Sequence, residues 1–468
     1  MKTGNPTLES TESTAVPVHF VPTPTREYRE HRKTMRVTAE PGTPVLPSPV
    51  PVPLPLKTGP RVLIYKQDPS VQEIGIRKAY IPTPVVTGPR DARIEIREQP
   101  PFALPPVPPN AMGDFIQAPG TPAFDAVHAF AVVRETLTMY QRALGSSVPW
   151  EWNNATNADP LKVFPRAGET ANAFYSRSEK SLRFFFFTPP GSPPGTPPVF
   201  TCRSLDIVAH ETGHAVLDGL QPGWLAFGNP PQTGGLHESF GDLTAIFLAL
   251  SQLDQVEAVI AQTKANLHDK TFLADLAEQF GLALGRPNGL RNADNDLKLS
   301  QVGTEVHAIS QVFTGAIYDI LADIFVSERN PAKKDDAAVL YEVGRYLYSL
   351  VLRALKQAPA TAATFADVAN KMLQITVADG KPVQYRNFIR NRFSVREVVV
   401  SPTPLTADFT EVVTLKPHVV DHPGAVQDRR TCCGTMQLPE YTGGEETLEA
   451  EADQLRKSLK GVAEAARK

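Results

Sequence analysis

The sequence predicts an α+β fold in which a β-rich N-terminal lobe and a helical C-terminal lobe flank one central helix. Three observations lead there. Short alternating runs such as Arg61-Val62-Leu63-Ile64-Tyr65 and Ala92-Arg93-Ile94-Glu95-Ile96-Arg97 crowd the first half, with the period of two expected of half-buried strands. From about residue 220 the apolar positions recur at helical spacing instead. Between these regions, His210-Glu211-Thr212-Gly213-His214 sits in a helically periodic stretch from Ser204 to Leu217, with Ser204 placed to cap its start.

Taken in order, residues 1–57 are polar and proline-rich and end in Pro47-Ser48-Pro49-Val50-Pro51-Val52-Pro53-Leu54-Pro55. Such a stretch lacks the periodicity of a core and favours an extended, flexible arm. Residues 58–219 make the β-rich lobe, including the central helix. Within it, a proline cluster from Pro100 to Pro109 reads as a loop, and Thr121 caps a long amphipathic helix with Pro122 at its first position. His128 on that helix has no second ligand at its spacing and reads as a packed residue. Asn172 to Tyr175 and Leu182 to Phe187 read as paired strands, the phenylalanine run as one buried on both faces.

Residues 220–400 form the helical lobe, with helices expected over Leu243–Leu253, Thr271–Leu284, Val306–Phe325, Ala337–Leu355 and Ala363–Ile375. The extension 401–468 contains an alternating run at Phe409–Leu415 and a charged amphipathic helix at Thr447–Ala466. The vicinal Cys432 and Cys433 are candidates for a thiolate latency switch on a metal.

Composition narrows the function. Across 468 residues, 47 basic and 50 acidic side chains are well mixed and the net charge is -3, which argues against nucleic-acid or anionic-membrane partners. No run of 18 apolar residues points to a membrane span. Met1-Lys2-Thr3-Gly4-Asn5-Pro6 is not followed by an apolar core of the Sec-signal type, so the expectation is a cytoplasmic protein or one exported without a Sec signal peptide. Three cysteines exclude a disulfide-built framework. Oligomeric state is not legible.

Two histidines four residues apart project from one helix face, so their imidazoles can converge on one ion, with Glu211 close by as a base. Gly213 costs such a helix about 1 kcal/mol against alanine. Downstream, Gly234-Gly235-Leu236-His237-Glu238-Ser239-Phe240-Gly241-Asp242 is a second helical pattern with two carboxylates four apart. Glu238 is positioned to supply a third ligand, and Asp242 to hold a ligand histidine from behind. Spacing alone does not say which histidine. Three protein ligands with one open position is the catalytic arrangement of zinc. His237 is turned about 100° from Glu238 on the helix and reads as lining the cleft or the core.

At this point the chain resembles the thermolysin-like zinc metallopeptidases of the gluzincin group. Their third ligand is a glutamate some two dozen residues past the motif, followed four residues later by an aspartate. Glu305-Val306-His307-Ala308-Ile309-Ser310 resembles the family segment whose histidine donates to the oxyanion. Asn172-Ala173-Phe174-Tyr175 resembles the substrate-backbone strand, expected here as an exposed edge on which an extended peptide adds. Gly289-Leu290-Arg291 resembles the segment carrying a carbonyl-binding arginine, although a lone arginine also reads as a surface residue. The matching blocks fall within roughly residues 110–400.

The resemblance implies a two-lobed endopeptidase with one catalytic Zn2+ on His210, His214 and Glu238, Glu211 and His307 as catalytic groups, and Asp242 behind His210. It implies substrate contacts at Asn172, Ala173 and Arg291, and a primed-side pocket lined by Ile207 and Leu290. Both are aliphatic, so cleavage before a bulky apolar residue of a peptide or protein is expected. Trp224 stands near the place of a family tyrosine and is a candidate oxyanion donor through its indole N–H. Asp206 matches a calcium-binding aspartate, but Ala249 stands where its glutamate partner is expected, which argues against a paired calcium site. The rival readings are a catalytically silent binding protein that keeps the fold, and a latent protease held by its own arm or tail.

Overall fold

The computed structural model describes residues 59–286, 289–398 and a strand at 436–437. The proline-rich segment 1–57, the runs Phe409–Leu415 and Thr447–Ala466, and Cys432 and Cys433 lie outside the described residues.

In chain order the first elements are β1 (Arg61–Tyr65), β2 (Ile76–Tyr80), β3 (Ile94–Ile96), α1 (Pro122–Leu144), β4 (Leu161–Phe164), β5 (Ala173–Ser176), β6 (Ser181–Phe184), β7 (Phe186–Phe187) and β8 (Val199–Phe200). Then come α2 (Leu205–Leu220), α3 (Pro231–Leu250), α4 (Leu253–Thr263), β9 (Asp275–Leu276), α5 (Glu278–Ala283) and β10 (Arg291–Asn292). The remainder is α6 (Val306–Glu328), α7 (Asp336–Gln357), α8 (Phe365–Ala378), α9 (Val383–Val395) and β11 (Met436–Gln437). The chain is therefore a mixture of helix and strand, strand-rich before α2 and mostly helical after it.

Five strands make one sheet in the order β11-β5-β6-β4-β3. β3, β4 and β6 run parallel, β5 runs antiparallel to β6, and β11 lies parallel to β5 on its outer side. α1 packs on β1, β3 and α2. Its start is fixed as the sequence predicts: the Thr121 hydroxyl accepts from the Phe124 amide at 3.1 Å, with Pro122 following. His128 is fully buried between Tyr65 and Phe124, a packed side chain. Burial pushes its pKa down to about 3, so the ring is neutral.

α3 lies between α2 and α6, and that sandwich positions the chemistry. The close approach of α2 and α3 needs two glycines. A Cβ on Gly213 would stand 2.6 Å from Thr244 Oγ1, and one on Gly241 would stand 2.6 Å from the His210 ring. The weak helix propensity of Gly213 is thus the condition for bringing two ligand-bearing helices together. One continuous hydrophobic core runs from Val62 on β1 to Val398, joining residues expected in both lobes. α6 is long and apolar enough to cross a membrane by length and composition, yet 89% of its apolar window is buried among other helices.

Several expectations need correction. Thr271–Leu284 is not one helix: β9 pairs antiparallel with β10, Ala277 takes a left-handed conformation (φ 51°), and only Glu278–Ala283 is helical. Tertiary pairing overrides helix propensity here, and the Ala277 amide donates to Asp206. The phenylalanine run breaks at Phe185, whose amide turns aside to the Thr201 hydroxyl and the Asn172 carbonyl. α9 was not anticipated, because its sequence is rich in arginine and its apolar stripe is thin.

Candidate metal centre

The Ser204 hydroxyl accepts from the Ile207 amide and starts α2, which carries both histidines inward. His210 Nε2 and His214 Nε2 lie 3.0 Å apart. Glu238, from α3, places Oε2 at 3.5 Å from the first and Oε1 at 3.5 Å from the second. His210 is 5% exposed, His214 0% and Glu238 1%. Three donors therefore face one point in the interior, within the reach of a single ion.

Both imidazoles are engaged from behind. His210 Nδ1 meets Asp242 Oδ1 at 3.0 Å. Asp242 in turn accepts from the Arg291 guanidinium at 2.9–3.1 Å. Burial works to raise the Asp242 carboxyl, and Arg291 and His210 outweigh it, so the group lies below the usual range. His214 Nδ1 meets His237 Nδ1 at 3.1 Å. With the Nδ1 atoms so occupied, the Nε2 atoms are turned toward each other and toward Glu238. Burial would lower His210, but its bonds to Asp242 and Glu238 raise it to about 10.

This donor set fits zinc. Two imidazole nitrogens and one carboxylate, buried and oriented by outer partners, match a tetrahedral site with one position left for solvent or substrate. Burial alone would raise Glu238, and the surrounding imidazoles of His307, His214 and His210 hold it well below the usual carboxylate range.

His307, in the first turn of α6, brings Nε2 to 3.3 Å from Glu238 Oε2. Its Nδ1 meets Glu305 Oε1 at 2.5 Å, and the Glu305 carboxylate also caps α6 by accepting from the amides of His307 and Ala308. Burial opposes ionisation of Glu305, and the His307 ring and these amides overcome it. One carboxylate thus starts the helix and aims its histidine.

Glu211 is 1% exposed and lines a small cavity with His210, Ile207, Leu276, Leu290 and Arg291. The β9–β10 ribbon, absent from the sequence reading, carries Leu276 and Arg291 into it. Ile207 and Leu290 thus face one space beside the metal point. At about 20 Å³ it holds roughly one water, not a bulky side chain.

Two expected substrate contacts are placed differently. Trp224 is 1% exposed and donates its indole N–H to the Pro359 carbonyl at 2.8 Å, so its one donor is spent away from the metal point. Its assignment as an oxyanion donor is corrected. The edge at Asn172 and Ala173 is not exposed: both residues are fully buried, and β11 pairs with β5 at Tyr175 and Ser176. Tyr175 ties this strand to the metal helix by donating to Asp218 on α2 at 2.7 Å.

The sequence reading missed the roles of His237 and Glu305. Glu305 had a signal, an acidic residue directly before an apolar helix start. His237 had none, because its partner is on another helix. Asp206 is likewise not alone: Asp68 and Glu278, rather than residue 249, act on it electrostatically, and burial with these neighbours holds it well above the usual range. In a second cluster, His268 Nδ1 meets Asp294 at 2.8 Å, while Asp319 is paired with Arg396 at 2.8 Å and Arg392 at 3.5 Å. A cavity of about 1020 Å³ bordered by Lys66, Glu135, Arg142 and Arg345 contains none of the metal-site residues.

No protein-family model matches the chain, and no curated protein matches it. Among solved structures, it is similar to the precursor of protealysin, a metalloproteinase from Serratia proteamaculans. The identity is 15%, the match covers 67% of this chain and 88% of that one, and the TM-score is 0.41. So distant a likeness carries no chemical argument, which rests on the side chains described above.

Proposed function

We propose that this chain is a zinc-dependent endopeptidase that hydrolyses peptide bonds in extended peptides or proteins. The observation that supports it is the convergence of His210, His214 and Glu238 at 3.0–3.5 Å, with Glu211 on the same cavity. A zinc ion held by these three ligands supplies Lewis acidity to a peptide carbonyl and makes water a better nucleophile at neutral pH.

The chain's own residues supply the rest. Glu211 accepts a proton from the attacking water and later delivers it to the leaving amine. His307, aimed by Glu305 at Nδ1, turns Nε2 toward the metal point, where it donates to the carbonyl oxygen as charge builds there. Arg291, fixed in direction by Asp242, supports a substrate carbonyl beside the cavity. Asp242 and His237 hold the two histidines in register.

Ile207, Leu276 and Leu290 give the cavity aliphatic walls, so the residue after the scissile bond is apolar. At about 20 Å³ this space holds roughly one water, so a bulky apolar residue fits only if the pocket opens. Cleavage of a peptide library before acidic or basic residues would contradict this specificity.

The test compares full-length wild type with Glu211→Gln, each loaded with zinc, on casein and a quenched-fluorescent peptide, with and without chelator. The expected result is chelator-sensitive cleavage that falls by about 10²–10⁴-fold in Glu211→Gln while zinc stays bound. Equal traces from the two proteins would mark a binding protein that keeps the metal site without turnover.

A further inference from the structure

We infer that the outer edge of β5 is a strand-docking surface whose resident occupant is the chain's own segment Met436–Gln437, which competes with an extended substrate for that edge. This rests on the peptidase reading above and adds its regulation. The pairing is parallel, with Met436 opposite Tyr175 and Gln437 opposite Ser176. The other side of β5 is taken by β6 through four residue pairs, Ala173↔Phe184 to Ser176↔Ser181. With β11 in place, β5 is an interior strand.

The burial agrees. Tyr175 and Ser176, the two residues opposite β11, are fully buried. A strand at the edge of a sheet otherwise presents a row of unpaired amides and carbonyls that recruits another extended segment. Backbone pairing is indifferent to side chains, so a segment of the same chain and a substrate peptide compete for the same groups.

The edge is also mechanically joined to the metal helix. Tyr175 donates to Asp218 Oδ2 at 2.7 Å, Arg177 donates to the same oxygen at 2.9 Å, and Asp218 lies one turn past His214 on α2. A peptide paired along β5 therefore runs beside the helix that carries the ligands. Two residues of pairing give a weak contact that tethering strengthens by effective concentration, so the expected inhibition is partial and reversible.

The test uses the full chain with Gln437→Pro, which removes an amide and disfavours the strand at that point. Amide exchange is followed on β5, and cleavage of a peptide is followed on the zinc-loaded proteins. The β5 amides that do not face β6 should exchange at least about tenfold faster in Gln437→Pro, and kcat/KM should rise by about tenfold. A synthetic peptide of residues 431–442 added to the variant should inhibit competitively. Unchanged β5 exchange would overturn the docking, and faster exchange without a gain in cleavage by an active enzyme would overturn the competition. If neither protein cleaves with zinc bound, the peptidase reading fails, while the exchange result still decides whether the tail occupies the edge.

Discussion

His237 shows how much a single side chain decides at this centre. For His214 to aim Nε2 at an ion, its proton must sit on Nδ1 and be donated to His237 Nδ1, 3.1 Å away. His237 must then be neutral with its own proton on Nε2, and burial, which lowers its pKa to about 3, keeps it so. His237→Leu should weaken zinc binding by about 10–100-fold in chelator competition, whereas His237→Asn, which restores an acceptor near Nδ1, should recover most of it. Equal affinity in the leucine variant would remove His237 from the metal centre. Glu278 gives a prediction in pH. Burial first, then Asp68 and Asp275, raise its carboxyl to about 7 from an ordinary 4.5. The folded state therefore binds the proton more tightly than the unfolded state, and stability falls as pH rises from 4.5 through 7. With chelator present, Glu278→Gln should raise Tm by a few degrees at pH 8 and leave it unchanged at pH 4.5. A gain of the same size at both pH values would place the effect outside this carboxylate.

At the scale of elements, the contact between α2 and α3 is the tightest constraint. Gly241→Ala gains about 1 kcal/mol of helix propensity but sets a methyl group 2.6 Å from the His210 ring. The clash should win, lowering Tm and weakening zinc binding at least tenfold. A higher Tm with unchanged zinc affinity would show that the helices have room to move apart. Helices with strong caps and periodicity were legible in the sequence: Thr121 and Ser204 start α1 and α2 as expected. The β9–β10 ribbon was not, because Thr271 to Leu284 carries a helical pattern whose local preference yields to pairing with Arg291 and Asn292. That ribbon delivers Leu276 and Arg291 to the cavity, so a piece of the site was readable as residues but not as an element. The short β11 lacked any sequence signal, since parallel pairing across such a separation leaves no local pattern.

For the whole molecule, the mixed helix-and-strand architecture and the shared faces of His210 with His214 and of Glu238 with Asp242 follow from periodicity and spacing, because a helix imposes fixed angles between its residues, whereas the meeting of the two pairs was implied by the family resemblance. What spacing could not supply was partnership between helices: His237 behind His214, Glu305 behind His307, and Trp224 turned to Pro359. Among the described residues, the larger hydrophobic core runs from Val62 to Val398 and includes residues of α2, α3 and α6, so the ligand-bearing helices are held by packing. The measurement that tests this arrangement most directly is zinc-edge X-ray absorption on the full-length, zinc-loaded chain. The account predicts one zinc with nitrogen and oxygen neighbours at about 2.0–2.1 Å and the scattering signature of two imidazoles. A sulfur shell at about 2.3 Å, or a chain that retains no zinc, would contradict it.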